Sequence, residues 1–199
     1  MVRKRILYVE SNTDGTVGGS HFSLLYLIQG LNKEVYDPMV VFYQDHRLIP
    51  RYRQAGCSVL LLKKRKPLNF SNTLPWIERM PDTILQRLFV RWPLMVIQKA
   101  INYVLTFIAP VFHCWYVLMK ERVDLVHLNN TLLRPQEWIL AAIFTKTKIV
   151  AHERGINDMF PSQARFWARF LSRIVCISDA VRGNLLKHGF PENQLVRIY

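Results

Sequence analysis

The sequence has few acidic residues and few cysteines, and both shortages narrow what the chain can be. Only 14 Asp and Glu residues accompany 27 Lys and Arg among 199 residues, which gives a formal net charge of +13. The cysteines Cys57, Cys114 and Cys176 lie far apart without a Cys-x-x-Cys pair. An odd number of separated cysteines argues against a disulfide framework and against a cysteine-based zinc site. We therefore expect reduced, buried thiols in a protein that faces the cytosol.

Apolar runs alternate with helical patterns along two stretches of the chain. The predicted strands are 6–9, 38–43, 58–62, 125–128, 148–151, 174–177 and 196–199. The predicted helices are 20–31, 48–55, 138–144, one that includes 166–171, and 180–188. Strands that alternate with helices predict an α/β fold, a doubly wound parallel sheet with helices on both faces.

A glycine pair, Gly18 and Gly19, precedes the first predicted helix. Glycines at this point let backbone N–H groups approach an anion, and the N-terminus of the helix adds partial positive charge. Their spacing from Gly15 does not form a G-x-G-x-x-G motif, which disfavours a dinucleotide-binding oxidoreductase. The spacing of these glycines does not exclude the alternative, which is a loop that binds no ligand.

Polar residues follow the strand 125–128 at its carboxyl end. Asn129, Asn130 and Thr131 carry amides and a hydroxyl, groups that suit the recognition of sugar hydroxyls. Ligands of doubly wound sheets bind at this edge, so we expect these side chains in a common crevice. His127 alternates with them along the strand, and we interpret it as a satisfied core histidine rather than a catalytic one.

The next strand ends in His152, Glu153 and Arg154 at the same predicted edge. A histidine can act as a general base, and an arginine suits a phosphate or a carboxylate. A solvated Glu–Arg pair at a strand end is the alternative. Ser178 or Asp179 is expected to cap the following helix, a role that explains these residues without a ligand.

Together these segments resemble the N-terminal domain of family 4 glycosyltransferases, which have the GT-B fold of two Rossmann-like halves. The resemblance covers residues 1–62 and 122–199. It is carried by the strand 6–9, by Gly18-Gly-Ser20 at the start of a helix, and by the stretches 124–129, 149–155, 175–182 and 189–199.

The resemblance implies a role for each candidate residue. Gly18 and Gly19 would meet the diphosphate of a nucleotide-sugar donor. Asn129, Arg154 and His152 would be catalytic, although Asn129 and Arg154 occupy positions where many members have histidine. Asn130, Thr131, Glu153 and Ser178 would bind the acceptor, and no obligatory metal or other cofactor is expected.

The resemblance also implies that residues 1–199 are the acceptor-side domain of a two-domain enzyme. The C-terminal donor-binding domain would be absent, with the chain ending after Tyr199, and the chain alone would be inactive. A non-catalytic binding or pairing module from a truncated or split gene is the first alternative. A nucleic-acid-binding protein is the second, but the chain has no helix-turn-helix, zinc finger or aromatic RNA-binding signature.

An insertion at about 63–121 interrupts the pattern. It combines the basic run Lys63–Lys66, Trp76 and the apolar stretch Leu94–Met119, in which Pro110 and His113 are expected to interrupt a spanning helix. We expect a helix on the anionic cytoplasmic face of a membrane, as a lipid-linked acceptor would require. Buried helices on the sheet and a membrane-spanning helix are the alternatives.

Overall fold

The computed structural model describes residues 3–13, 15–70, 83–84, 87–132 and 135–198. The chain divides into a sheet unit, Met1–Lys63 with Cys114–Tyr199, and a helical unit, Lys64–His113. Trp76 and Tyr199 lie outside the described residues. The helical unit ends before the predicted limit of the insertion because Cys114, Val117 and Leu118 belong to the core of the sheet unit.

The described part of the sheet unit contains one seven-stranded parallel sheet in the order β3-β2-β1-β4-β5-β6-β7. Its strands are Lys4–Glu10 (β1), Tyr36–Phe42 (β2), Ser58–Leu61 (β3), Leu125–Asn129 (β4), Lys148–Glu153 (β5), Arg173–Cys176 (β6) and Leu195–Arg197 (β7). The chain moves outward from β1 to β3 and then returns to add β4 on the other side of β1. This reversal creates a topological switch point between β1 and β4, where doubly wound sheets open a crevice.

The helices of the sheet unit connect these parallel strands. They are Gly19–Gly30 (α1), Ile49–Gln54 (α2), Gln136–Thr145 (α5), Ser162–Ala168 (α6) and Asp179–Lys187 (α7). Trp92–Tyr103 (α3) lies in the helical unit, and Ala109–Lys120 (α4) continues from that unit into the sheet unit. The helix predicted to include 166–171 ends earlier, at Ala168, so residues 169–171 are outside it.

The sheet is covered on both faces, as the alternation of its residues requires. Leu7 and Val9 of β1 belong to one buried cluster, which includes residues of α4, α5, α6 and α7. Ile6 and Tyr8 belong to a second cluster, which includes residues of α1 and α2. Because neighbouring residues of a strand point to opposite faces, the two clusters cover opposite faces of β1. The doubly wound α/β fold is therefore confirmed, and all three cysteines are buried.

A helix of 32 residues, Phe89–Lys120, is the one described helix that is long and apolar enough to cross a membrane. The prediction that Pro110 interrupts it is wrong. Pro110 lies in the first turn of α4, directly after the π-helical turn Val104–Ile108. The wider turn accommodates the proline ring, which would clash with a carbonyl in a regular α-helix. Only 6% of its most apolar window is buried, whereas Cys114, Val117 and Leu118 near its end pack in the core of the sheet unit, so the alternative of buried helices holds for the end of the helix alone.

Candidate functional site

A polar cluster lies at the switch point, where the carboxyl ends of β1 and β4 are paired. Glu10 ends β1 and lies opposite Asn129, which ends β4. Both side chains are buried, at 0% and 1% exposure. The amide Nδ2 of Asn129 donates to Oε2 of Glu10 at 2.6 Å. Parallel strands bring their carboxyl ends to one edge of the sheet, so residues 119 positions apart meet there.

Arg154 joins this cluster from the loop after β5. Its Nη2 donates to Oδ1 of Asn129 at 3.0 Å, and its Nη1 donates to Oγ of Ser23 in α1 at 3.0 Å. Asn129 therefore bridges a carboxylate and a guanidinium, with its amide nitrogen towards Glu10 and its oxygen towards Arg154. Glu10, Asn129 and Arg154 are called the Glu–Asn–Arg cluster below.

Burial dominates the electrostatics of the Glu–Asn–Arg cluster. It raises the pKa of Glu10 above its ordinary value, while the hydrogen bond from Asn129 and the charge of Arg154 act in the opposite direction. Burial also lowers the pKa of Arg154, and the charge of Glu10 opposes that shift. Each charge thus stabilises the ionised form of the other in a region that water reaches poorly.

Two histidines continue the cluster on the Tyr8 side of the sheet. Nδ1 of His152 lies 3.3 Å from Nη2 of Arg154, and the rings of His152 and His127 stack at 5.7 Å. Burial, with Arg154 adding to the effect, lowers the pKa of His152 to about 4. Burial, then His152 and Arg154, lowers the pKa of His127 to about 3. Both imidazoles are therefore neutral at pH 7 and are weak bases in the folded chain.

His127 only partly matches its interpretation as a satisfied core histidine. Its ring packs 5.1 Å from the ring of Tyr8, within the sheet. Its Nε2 is buried, however, and has no hydrogen-bond partner among the described residues. A buried nitrogen without a partner costs free energy, so its position calls for an explanation beyond packing.

The glycine pair lies beside the cluster, at the N-terminus of α1. Nδ2 of Asn129 is 3.4 Å from the carbonyl oxygen of Ser20, in the first turn of the helix. Gly18 is extended, and a Cβ added at Gly18 or at Gly19 would meet no atom within 4 Å. Neither backbone strain nor packing within the described chain therefore requires glycine here. The open space would let a ligand approach the backbone closely.

Glu153 accepts a hydrogen bond from the backbone N–H of Arg154 but does not pair with its guanidinium. Its side chain is 1% exposed, and its Oε2 accepts hydrogen bonds from the backbone N–H of Leu132 at 3.1 Å and from Oγ1 of Thr131 at 3.3 Å. The carboxylate thus holds the loop after β4. Its acceptor-binding role, and that of Thr131, stay predictions that these contacts do not favour.

Asn130 and Ser178 complete the set of predicted residues. Asn130 has a positive φ of 88°, a conformation that asparagine adopts more readily than most residues, and it turns the chain at the end of β4. Ser178 caps α7, with Oγ accepting a hydrogen bond from the N–H of Val181 at 3.2 Å. The predicted cap is confirmed, whereas a role for either residue in acceptor binding stays a prediction.

Glu10 and Ser23 belong to the site but are not among the residues predicted from the sequence. Glu10 ends β1 directly after four apolar residues, 6–9, and a charged residue at the carboxyl end of such a run is a signal that could have identified it. Ser23 lies one turn after Gly19, on the part of α1 that contacts Arg154. Within the described residues, no group of three or more His, Cys, Asp or Glu side chains has the arrangement of a metal site.

Neither the protein-family models nor the curated proteins include a match to this chain. Similar solved structures include Anabaena HepE in complex with UDP and glucose, with 15% identity and a TM-score of 0.62 over 99% of this chain. Acinetobacter baumannii MurG has 12% identity and a TM-score of 0.56 over 98%. The UDP-GlcNAc 2-epimerase from Neisseria meningitidis, bound to UDP-GlcNAc, has 15% identity and a TM-score of 0.56 over 97%.

These neighbours establish the fold of the chain as Rossmann-like, of the kind found in GT-B glycosyltransferases. This chain spans 44% of the length of HepE, 44% of MurG and 45% of the epimerase. Because the set includes an epimerase, the fold does not select one reaction. The choice has to be argued from the site.

Proposed function

We propose that the chain is the acceptor-side lobe of a nucleotide-sugar-dependent glycosyltransferase related to family 4. The main support is the Glu–Asn–Arg cluster beside the open N-terminus of α1, at the switch point of the sheet. Buried charge is costly unless it is paired, and such groups concentrate where ligands bind. A second lobe would contribute most of the contacts with the nucleotide, consistent with the share of the neighbours' length that this chain spans.

In this proposal the diphosphate of the donor lies near Gly18 and Gly19. The partial positive charge at the N-terminus of α1 and the positive charge of Arg154 favour an anion there. Asn129 keeps Arg154 in position, because it binds both the guanidinium and Glu10. His152 stays the candidate catalytic histidine because it lies against Arg154, although its lowered pKa makes the imidazole a weak base.

The acceptor in this proposal is a lipid-linked or cell-envelope glycan, met at the cytoplasmic face of a membrane. The exposed apolar helix Phe89–Lys120 supports that choice, since an enzyme that acts on a lipid-linked substrate has to approach the bilayer. No obligatory metal is proposed. The chain alone is expected to show negligible transfer or hydrolysis of UDP-, GDP- or ADP-sugars.

Backbone amide NMR of the chain tests this proposal directly. UDP-glucose, UDP-GlcNAc, GDP-mannose and ADP-glucose are titrated one at a time, with inorganic phosphate as a separate control. A nucleotide sugar is expected to shift the amides of Gly18, Gly19 and Ser20, while those of Gly30 and Gly56 stay in place. Equal shifts with phosphate alone, or none with any sugar nucleotide, would contradict donor binding. Rapid turnover by this chain alone would contradict the single-lobe proposal.

A further inference from the structure

The long helix Phe89–Lys120 exposes large apolar side chains to solvent along much of its length. Phe89 is 74% exposed, Trp92 62%, Tyr103 57% and Phe112 64%. In α3, and in the π-helical turn that follows it, no residue is buried. A soluble protein rarely exposes so much apolar surface in one element, so this surface marks a contact with another phase or molecule.

The positive charge on and near this helix favours an anionic partner. The sequence from 83 to 120 contains no Asp or Glu, whereas Arg87, Arg91, Lys99 and Lys120 carry positive charge. The basic run Lys63–Lys66 lies a short distance earlier in the chain. A second copy of the chain would bring like charges together. A bilayer with anionic lipids instead offers both an apolar phase and opposite charge.

The topology of the sheet decides how the helix meets the bilayer. The helix is part of the connection between β3 and β4, and both strands belong to the same parallel sheet. A single crossing would leave these two strands on opposite sides of the membrane. Between Lys63 and Arg87, the longest stretch without a formal charge is Pro67–Ile77, with 11 residues. That stretch is too short for a second crossing helix, which needs about 20 residues.

Packing at the end of the helix leads to the same conclusion. Cys114, Val117 and Leu118 are buried in the core of the sheet unit. These residues cannot also lie in hydrocarbon. The uncharged window Ala100–Met119 is therefore shortened to residues 100–113, about 21 Å of helix at 1.5 Å per residue. A bilayer core is about 30 Å thick, so the uncharged residues that remain do not span it, and a crossing helix that began earlier would place Lys99 in the hydrocarbon.

We propose that the helix lies in the plane of the interface of an anionic membrane and anchors the protein to one leaflet without crossing it. The proposal deepens the proposed function, because it names the surface on which a lipid-linked acceptor would be met. It can be tested separately from donor binding.

Vesicle flotation tests the binding, with phosphatidylcholine vesicles that contain or lack phosphatidylglycerol. The chain is expected to float with the anionic vesicles and to be released as salt rises. Phe112→Ser is expected to weaken vesicle binding about fivefold, since it removes one large apolar side chain that would enter the lipid. Phe144→Ser is the matched control, because Phe144 of α5 is 62% exposed, and it is expected to leave binding unchanged.

Charge is tested by a second matched pair of variants. Replacing Lys64, Arg65 and Lys66 with Gln is expected to weaken anionic vesicle binding at least tenfold, as expected for about 1 kcal/mol per basic residue near the surface. Replacing Arg47, Arg51 and Arg53 with Gln removes the same charge from the sheet unit and is expected to have little effect. Equal losses of vesicle binding in the two triple variants would overturn the proposal. Self-association of the chain without vesicle binding would also overturn it.

Cysteine labelling separates an in-plane helix from a crossing one. Lys66→Cys and Lys120→Cys flank the helix and are treated with a membrane-impermeant maleimide in spheroplasts before and after lysis. Both sites are expected to label only after lysis. Labelling of just one of them in intact spheroplasts would overturn the proposal. If a nucleotide sugar shifts the NMR signals of the chain but the chain does not bind vesicles, the membrane anchor alone is rejected. If the chain binds vesicles but shows no NMR shifts with a nucleotide sugar, the donor site alone is rejected.

Discussion

The sheet unit and the helical unit distribute polar and apolar groups in opposite ways. In the sheet unit, Glu10 is fully buried at the switch point and is linked to Arg154 through Asn129. In the helical unit, Phe89 and Trp92 are mostly exposed, and α3 has no buried residue. One unit keeps charge away from water, and the other keeps apolar surface in contact with it.

Each arrangement is unfavourable in water unless a further interaction compensates. Buried charge requires partners, and those of Glu10 and Arg154 come from elements far apart in sequence. Exposed apolar surface requires a different solvent or a partner. In the proposed function the two units contribute differently, with a polar site in one and a membrane-binding surface in the other. The following predictions test that contrast, from the largest expected effect to the smallest.

Arg154→Met is expected to have the largest effect on folding. The substitution leaves Glu10 buried without its compensating charge, which should lower the free energy of unfolding by about 3 kcal/mol. Urea denaturation measures the loss. Asp124→Asn removes the exposed ion pair with Lys4 and serves as the control, with an expected loss below about 1 kcal/mol. Equal losses of unfolding free energy in the two variants would mean that the Glu–Asn–Arg cluster contributes no more to stability than a surface ion pair.

Acid should destabilise the sheet unit through His127 and His152. The pKa of His127 is lowered to about 3 and that of His152 to about 4, from an ordinary value of 6.5. Below pH 6.5 the unfolded chain therefore binds more protons than the folded chain, so stability present at pH 7 is lost as pH falls. Each histidine is expected to contribute a loss of about 2 kcal/mol between pH 7 and pH 5.

The raised pKa of Glu10 acts in the opposite direction, because the folded chain then binds more protons than the unfolded chain above the ordinary pKa. The contribution of one histidine is therefore measured as a difference between variants. His127→Phe should remove about 2 kcal/mol of the acid-dependent loss seen in urea denaturation. An unchanged pH profile would show that His127 is protonated as readily in the folded chain as in the unfolded one.

Two glycines should respond oppositely to alanine. Gly56 has a φ of +73°, so Gly56→Ala is expected to cost about 1 kcal/mol of stability. Gly19 lies in α1 with open space around it, so Gly19→Ala should leave stability unchanged or raise it by up to about 1 kcal/mol. The same Gly19 variant should lose the NMR shifts caused by a nucleotide sugar. If the Gly19→Ala variant retains these NMR shifts, a ligand does not need to approach the backbone closely at Gly19.

Phe112→Ser should change the stability of the folded chain least. Phe112 is 64% exposed, so its replacement is expected to alter the free energy of unfolding by less than about 0.5 kcal/mol. Urea denaturation in the absence of lipid checks this. A large loss would mean that the side chain packs against the protein, and the contrast between the units would then weaken.

Much of the fold follows from local patterns in the sequence. Each predicted strand is present, because short apolar runs bounded by Gly, Pro or polar residues have few other stable arrangements in a compact domain. The end of α6 was predicted less well, since Leu171 is apolar and buried but lies outside the helix. An apolar residue after a helix has the same periodicity whether the helix continues or the chain turns into the next strand.

The candidate site was predicted in part. The expectation that strand ends meet at one edge brought Asn129, His152 and Arg154 together correctly. Glu153 points away from them and binds Leu132, as alternation along β5 implies for the residue between His152 and Arg154. The charge of Glu10 at the end of its strand is visible in the sequence, but only the pairing of β1 with β4 shows that a buried amide faces it.

The sequence by itself determined the order of strands and helices, the excess of positive charge and the apolar stretch, since these depend on residues near one another in the chain. The tertiary structure decided which polar residues meet, and it showed that β3 and β4 share one sheet across the insertion. The reason is physical: hydrogen bonds such as that between Glu10 and Asn129, like membrane sidedness, depend on contacts between distant segments. The local periodicity of apolar residues in the sequence does not indicate such contacts.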